Sequence, residues 1–300
     1  MNLRRPSAWV LNLDADNELG ARTHTPASAR ATARGPAQIA ALVGLIGPDD
    51  VVLGEGDRVA RGTYTGRAWC PTPRAMDRLS RAGAKPALAP ALAVLRRVNH
   101  RRFTADLGQM LPGARYVTTL EDLLLVIAGE SPTAQWLLKR PFGFAGRGRR
   151  KVARGALEAP ARTWVAASLR AGEGLQVEPW VLRSGDFALH GHVSREGAIV
   201  LGQPTSQECD ETGAWRRTSP APDLTPGERE ALASSARSSG RALHQAGYFG
   251  PFGVDAFRWR HGEGVTFNAR SEINGRYSMG WAIGMSPARP DLDDEDQGET

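Results

Sequence analysis

Residues 267 to 276 read Phe-Asn-Ala-Arg-Ser-Glu-Ile-Asn-Gly-Arg. In a β-strand, alternate side chains share a face. Asn268, Arg270, Glu272, Asn274 and Arg276 would then stand in one row. A hairpin turn near Gly262-Glu263 brings Asp255, on the preceding strand, roughly opposite Arg270 and close to Glu272. Two carboxylates and an amide oxygen form a hard-oxygen site. Mg²⁺ favours such a site and fills its remaining positions with water and phosphate oxygens. Asp255, Glu272 and Asn274 are therefore the expected metal ligands. Arg270 and Arg276 are expected to face phosphate or carboxylate oxygens. A solvated strand face also carries mixed polar residues, but five in alternation opposite an acid exceed what solvation requires.

A second cluster lies upstream. Trp136 to Arg140 reads as a strand, and Lys139 stands at its end. Gly143, Gly146 and Gly148 then follow within six residues, before a return strand over Arg149 to Val152. Small residues let backbone N–H groups approach phosphates, and the lysine adds a point charge. Only Lys85, Lys139 and Lys151 are lysines among 38 basic residues, which makes Lys139 more telling than usual. No Gly-Lys-Ser/Thr follows the glycines, so this is not a Walker A loop. A strand rather than a helix follows, which excludes the dinucleotide fingerprint. The segment Gln176 to Phe187 joins this unit to the last one. Its strand edge could read an adenine edge, and Glu178 and Asp186 are candidates there, Asp186 for ribose hydroxyls.

The elements that must position these residues make an α/β chain. Ala8 to Leu13 and Val51 to Leu53 read as strands, and Gln38 to Ile46 and Ala91 to Val98 as helices. Thr72-Pro73 reads as a helix start that could hold a substrate carboxylate, with Trp69 to Arg74 lining a pocket. Phe103 to Leu111 reads as a helix. Thr118 to Glu121 has capping-box spacing for a helix ending near Gly129, and Thr225 to Glu228 opens a long helix toward Ala246. Leu175 to Val181, Asp186 to Val193, Ala198 to Gln203, Gly253 to Arg260 and Val265 to Asn274 are strands. The expected domains are residues 1–97, 98–175 and 176–288, followed by an acidic, disordered tail over 289–300.

With 41% hydrophobic and 23% charged residues, the 300-residue chain has the composition of a globular protein. No apolar run approaches the ~20 residues of a membrane span. Asp14 and Asp16 interrupt the apolar stretch after Arg4 and Arg5, against a secretory signal, so a cytoplasmic protein with no membrane contact is expected. The net charge of +6 raises nucleic acid as a partner. The arginines are scattered among alanines, however, and do not form a stripe, so nucleic acid is not the expected partner. Cys70 and Cys209 provide no disulfide framework, and His190 with His192 has no third ligand nearby.

In this order and spacing, the three segments resemble the ATP-grasp superfamily over roughly residues 95 to 285. Glu272-Ile273-Asn274-Gly275-Arg276 is similar to the Glu-x-Asn-x-Arg element of biotin carboxylase and carbamoyl-phosphate synthetase. The resemblance implies that Glu272 and Asn274 hold Mg²⁺ (Mn²⁺ as substitute) and that Asp255 adds a ligand. Arg276, with Arg270, would face the reacting group. Lys139 is similar to the lysine before the family's flexible glycine loop. Glu178-Pro179-Trp180-Val181 is similar to its adenine-binding linker. The family's earlier basic residue falls in Asn99 to Phe103, where Arg101 or Arg102 stands. The implied activity is that of a carboxylate-amine ligase: ATP phosphorylates a carboxylate, and an amine, from an amino acid or peptide, attacks the acylphosphate. A kinase-like enzyme and a non-catalytic nucleotide-binding regulator are alternatives on the same fold.

Overall fold

In the computed structural model, residues 5–20, 44–108, 110–143, 148–170, 172–209, 215–221 and 223–292 are described. Three sheets organise them. The first is parallel, in the order β2-β1-β3-β4, with β1 Ser7–Val10, β2 Val51–Val52, β3 Thr65–Ala68 and β4 Lys85–Pro86. Parallel pairing needs crossover connections, so this unit is α/β, as the alternation predicts. The short helix α1, Ala15–Gly20, follows β1, and α2, Pro73–Ala82, packs on β3. Pro73 opens α2, where a missing N–H costs nothing.

The helices α3, Leu92–Asn99, and α4, Arg101–Asp106, lead into the second sheet. Helix α4 is shorter than expected and begins before Phe103. His100 caps it, its ring accepting from Arg102 N, and Gly108 at φ 73° turns the chain away before Leu111. The second sheet has the order β5-β8-β6-β7, from Arg115–Val117, Leu175–Pro179, Gln135–Lys139 and Arg149–Ala153. The helix α5, Leu120–Ala128, is capped by Thr119, which accepts from Asp122 N. The cap thus falls one residue later than the Thr118–Glu121 spacing suggests. The helix α6, Ala159–Arg170, was not legible in the sequence; it helps bury Trp136, Leu138 and Val177.

The third sheet is antiparallel, in the order β12-β11-β9-β13-β14, with β10 beside β9. Its strands are β9 Arg183–Val193, β10 Ile199–Leu201, β11 Thr205–Cys209, β12 Trp215–Pro220, β13 Gly250–His261 and β14 Gly264–Asn274. The helix α7, Pro226–Gln245, covers one face. Both bonds of the capping box between Thr225 and Glu228 are present. Arg258 holds the same Glu228 at 2.7 Å, which draws the Glu228 carboxyl down to about 2. One apolar core joins this sheet to the first: Trp9, Leu19, Trp69 and Leu95 pack with Leu189, Phe252 and Trp281 of the short helix α8, Trp281–Met285.

The chain beyond 289 is not all tail. Pro290–Leu292 forms a turn with Asp291 buried; Asp291 accepts from Tyr277 Oη at 2.8 Å, and its carbonyl accepts from Arg67 at 2.5 Å. Residues 293–300 of the expected tail, and most of the helix expected over 38–46, lie outside the described residues. Among the described residues, no helix is long and apolar enough to cross a membrane.

Candidate active site

The expected site residues gather where the end of the second sheet meets the third, and this junction is the candidate cleft. Lys139 closes β6, with a side chain only 7% exposed, and its Nζ forms an ion pair with Glu178 of β8. The two strands are adjacent and antiparallel, which sets the two side chains near one another. Gln176 Nε2 donates to the other carboxylate oxygen of Glu178 at 3.0 Å. Burial lowers the Lys139 ammonium below its usual range despite Glu178, and Arg101 and Arg183 push the same way. Across the cleft, Arg101 reaches Glu272 of β14 at 2.6 Å, and its Nε donates to Arg140 O at 3.0 Å. Burial alone would raise the Glu272 carboxyl, but Arg101, Lys139 and Arg276 together hold it below its ordinary value. Arg102, the other candidate, is exposed and pairs loosely with Asp106 at 3.6 Å. Of the two, Arg101 is the one that lies beside Glu272.

The metal candidates converge. Asp255 of β13 stands directly opposite Glu272, not opposite Arg270. Asn274 Nδ2 donates to Asp255 Oδ2 at 3.1 Å, and Gln207 Nε2 lies 3.4 Å from Oδ1. Burial and the Glu272 charge push Asp255 up to about 6. A buried carboxyl pushed up beside an ionised one is a fit for a divalent cation, which would offset both the burial and the repulsion at Asp255. Among the described residues, no group of three or more His, Cys, Asp or Glu could hold a metal. The donor set is two acids and an amide, which leaves most positions to water and ligand oxygens and suits Mg²⁺.

The crowding has a measurable sign. Asp255 takes up its proton more readily folded, at about 6, than unfolded, near 3.8. The folded state therefore carries the full penalty above pH 6, the penalty fades between pH 6 and pH 4, and it is absent below. Asp255→Asn is expected to stabilise the unliganded protein at pH 8 by about 1–2 kcal/mol, with the gain vanishing near pH 4. Urea unfolding of both proteins across that range measures it. A loss of stability at pH 8 would overturn the crowding account.

Arg270 is not in the cleft. The β13–β14 register slips between Asp255 and Phe257, so residues 269–271 bulge on β14. Arg270 Nη2 donates to the Leu107 and Gly108 carbonyls at 2.9 and 2.7 Å. The expected five-residue row is thereby broken. Arg276 does belong beside the cleft: its charge acts on both Glu272 and Asp255. Its partner is a residue that sequence reading passed over, Asp16 of α1, at 2.7 Å. A strand-to-helix junction rich in Asp and Glu, Asp14 to Glu18, was the available signal.

The start of α2 is also occupied. Glu18 accepts from Thr72 Oγ1 at 2.8 Å and from Arg74 N at 3.3 Å. A carboxylate of the chain itself thus fills the place proposed for a substrate carboxylate. Cys70, beside it, is buried and pushed up to about 12, so it is no nucleophile.

The remaining candidates are placed as follows. Gly143 and Gly148 frame the turn between β6 and β7, and the Gly148 carbonyl accepts from Arg140 N at 2.8 Å with φ at 71°. Gly146 lies outside the described residues. Trp180 donates its N–H to Gln135 O at 2.9 Å and accepts from Thr133 Oγ1 at 2.7 Å. Its backbone is therefore committed. Lys151 Nζ sits 3.7 Å over its ring. Val181 is buried against Phe257 and Leu111. Asp186 pairs with Arg183 at 2.8 Å. His190 is fully buried and held down to about 4 by that burial, a core residue.

No protein-family model matches the sequence. No curated protein matches it either. Among solved structures, biotin carboxylase from Campylobacter jejuni superposes with a TM-score of 0.55 at 14% identity, over 74% of this chain and 50% of that one. D-alanyl-alanine synthetase A from Vibrio cholerae superposes at 0.53 and 13% identity, over 95% of this chain and 93% of that one. The chain has the ATP-grasp fold. Rhizobium etli pyruvate carboxylase superposes at 0.57 and 15% identity over 93% of this chain, which spans 27% of that one. Likenesses at these identities establish the ATP-grasp fold and leave the reaction to the residues of the cleft.

Proposed function

We propose that the chain is an ATP-dependent ligase that phosphorylates a substrate carboxylate and couples it to an amine of an amino acid or peptide. The observation that carries this reading is the gathering of buried Lys139 with half-buried Arg101, Glu272 and Asp255 between two sheets of an ATP-grasp fold. The biotin carboxylase that superposes on it was solved in complex with an ATP analogue.

Phosphoryl transfer asks a protein mainly for positioning and for neutralised charge. Lys139, Arg101 and Arg149 supply positive charge at the cleft. Val181 belongs to the linker expected to meet the adenine, and Asp186, which pairs with Arg183 here, is the acid that would turn to the ribose. Asp255, Glu272 and Asn274 would hold Mg²⁺, which neutralises phosphate oxygens when bound. The glycine-rich segment with Gly143, Gly146 and Gly148 in its sequence would close over the phosphates and exclude water. Arg276 faces the reacting carboxyl and its later oxyanion.

Asp16 would fix where the Arg276 guanidinium points. Asp16→Asn is expected to lower turnover on the order of tenfold to a hundredfold through misplacement of Arg276, with the nucleotide affinity retained. An unchanged turnover would remove Asp16 from the site.

The test of the reading itself is the melting temperature with ATP, with and without Mg²⁺. A ligand binding only the folded state stabilises it by about 2.7 kcal/mol at a hundredfold excess over Kd. A rise that needs both ATP and Mg²⁺ is expected, followed by phosphate release when amino acids are supplied as acid and amine. No rise with any nucleotide would end the ligase reading.

A further inference from the structure

The free edge of the third sheet carries a cavity that the nucleotide cleft does not reach. β14 is the edge strand, and its bulge at 269–271 opens a space between α7 and the chain at 110–112. The cavity measures about 340 Å³. None of Lys139, Glu178, Arg101, Asp255 or Glu272 lines it. Leu111, Trp259 and Phe267 make its apolar wall, and Arg270, Ser235 and Asn268 bring polar groups.

Two of those polar groups are orphaned. Arg270 is 3% exposed, and among the described residues its guanidinium meets only neutral partners: the Leu107 and Gly108 carbonyls and, at 3.4 Å, Ser238 Oγ. Among the described residues its Nε meets no acceptor. Among the described residues no carboxylate pairs with it, and burial alone lowers its proton affinity. Ser235, also 3% exposed, has a hydroxyl with no partner. A buried donor left unmade is costly, more so when charged, and the cost of a buried cation without a counter-charge is larger still. Both orphans line the same cavity.

We propose that this cavity binds a small organic carboxylate. The carboxylate pairs with the Arg270 guanidinium and the Ser235 hydroxyl, which turn toward it from the cavity wall, and the apolar body lies against Trp259, Phe267 and Leu111. An inorganic anion would satisfy the nitrogen but leave the apolar wall uncovered. The site stands on its own geometry and does not depend on the ligase reading.

The experiment titrates 3-phenylpropionate and indole-3-propionate into the full chain, beside the neutral 3-phenylpropionamide. Ligand-observed NMR and the melting temperature are the readouts. The carboxylates are expected to bind at least tenfold more tightly than the amide. Arg270→Met and Ser235→Ala are expected to weaken them. Arg270 is buried and its replacement can cost the fold, so a second variant works from the rim. Ala231 is exposed at the cavity edge, and Ala231→Phe fills the mouth from α7. It is expected to abolish carboxylate binding while leaving the thermal response to nucleotide as in the wild type. Equal binding of acid and amide, binding that survives Ala231→Phe, or no binding of either carboxylate to the wild type at 10 mM would each overturn the proposal.

Discussion

Glu272→Gln is expected to reduce Mg-ATP-dependent phosphate release about a hundred- to a thousandfold, the range seen when one charge-stabilising contact is removed from a reaction site. The substitution keeps shape and removes charge from the residue on which Arg101, Lys139 and Arg276 all converge. Three cations would then share the cleft with Asp255, which is pushed up to about 6 chiefly by burial and by Glu272 itself. With Glu272 neutral, Asp255 is expected to ionise more readily but to be alone as an acidic metal ligand. The measurement is the Mg²⁺ concentration needed for half-maximal release, together with the maximal rate. Both should worsen. Stability should fall less than for a fully buried pair, because the Glu272 side chain is 27% exposed. A rate within threefold of wild type at unchanged Mg²⁺ demand would place the metal elsewhere.

Much of this cleft was legible because it rests on short-range rules. A lysine at the end of a strand and Glu and Asn two apart on a hairpin are placed by strand alternation alone, whereas the pairing of Lys139 with Glu178 depends on two strands that are distant in sequence. The hairpin could be read to within a few residues, and so could the long helix opened by Thr225 to Glu228. Arg270 was misplaced because alternation assumes an unbroken ladder. The slip between Asp255 and Phe257 is a local packing event with no residue signature here. Asp16 was missed for a different reason. Its meeting with Arg276 spans 260 positions and depends on the first sheet docking against the third, which no local pattern encodes. β11, β12 and α6 went unread because mixed polar strands such as Thr-Ser-Gln-Glu-Cys and an alanine-rich helix carry weak periodicity. Glu18 at the start of α2 shows the limit of a capping argument: the sequence marks a helix end that wants an anion, not which anion takes it.

Lys139→Met is expected to destabilise the unliganded protein by about 3–5 kcal/mol, and Glu178→Gln by a similar amount, because each leaves a buried charge without its partner. The two side chains are each 7% exposed. Burial outweighs Glu178 in setting the Lys139 proton affinity, so the pair is held at a cost rather than as a source of stability. The double variant Lys139→Met with Glu178→Gln removes both charges at once. It should recover most of the lost stability, as apolar replacements of buried pairs commonly do. It should not recover the thermal response to Mg-ATP. A double-mutant cycle in urea, run beside nucleotide melts, separates the two quantities. If the double variant is as unstable as the singles, the pair is a structural tie, and Gln176 with its bond to Glu178 is the place to look for what it supports. If the double variant is stable and still responds to nucleotide, Lys139 does not meet phosphate, and Arg101 with Arg149 must carry that charge. Stability recovered with nucleotide lost is the outcome that a cleft built for an anionic ligand demands, since such a site keeps an ammonium dry and charged against its own interest until the ligand arrives.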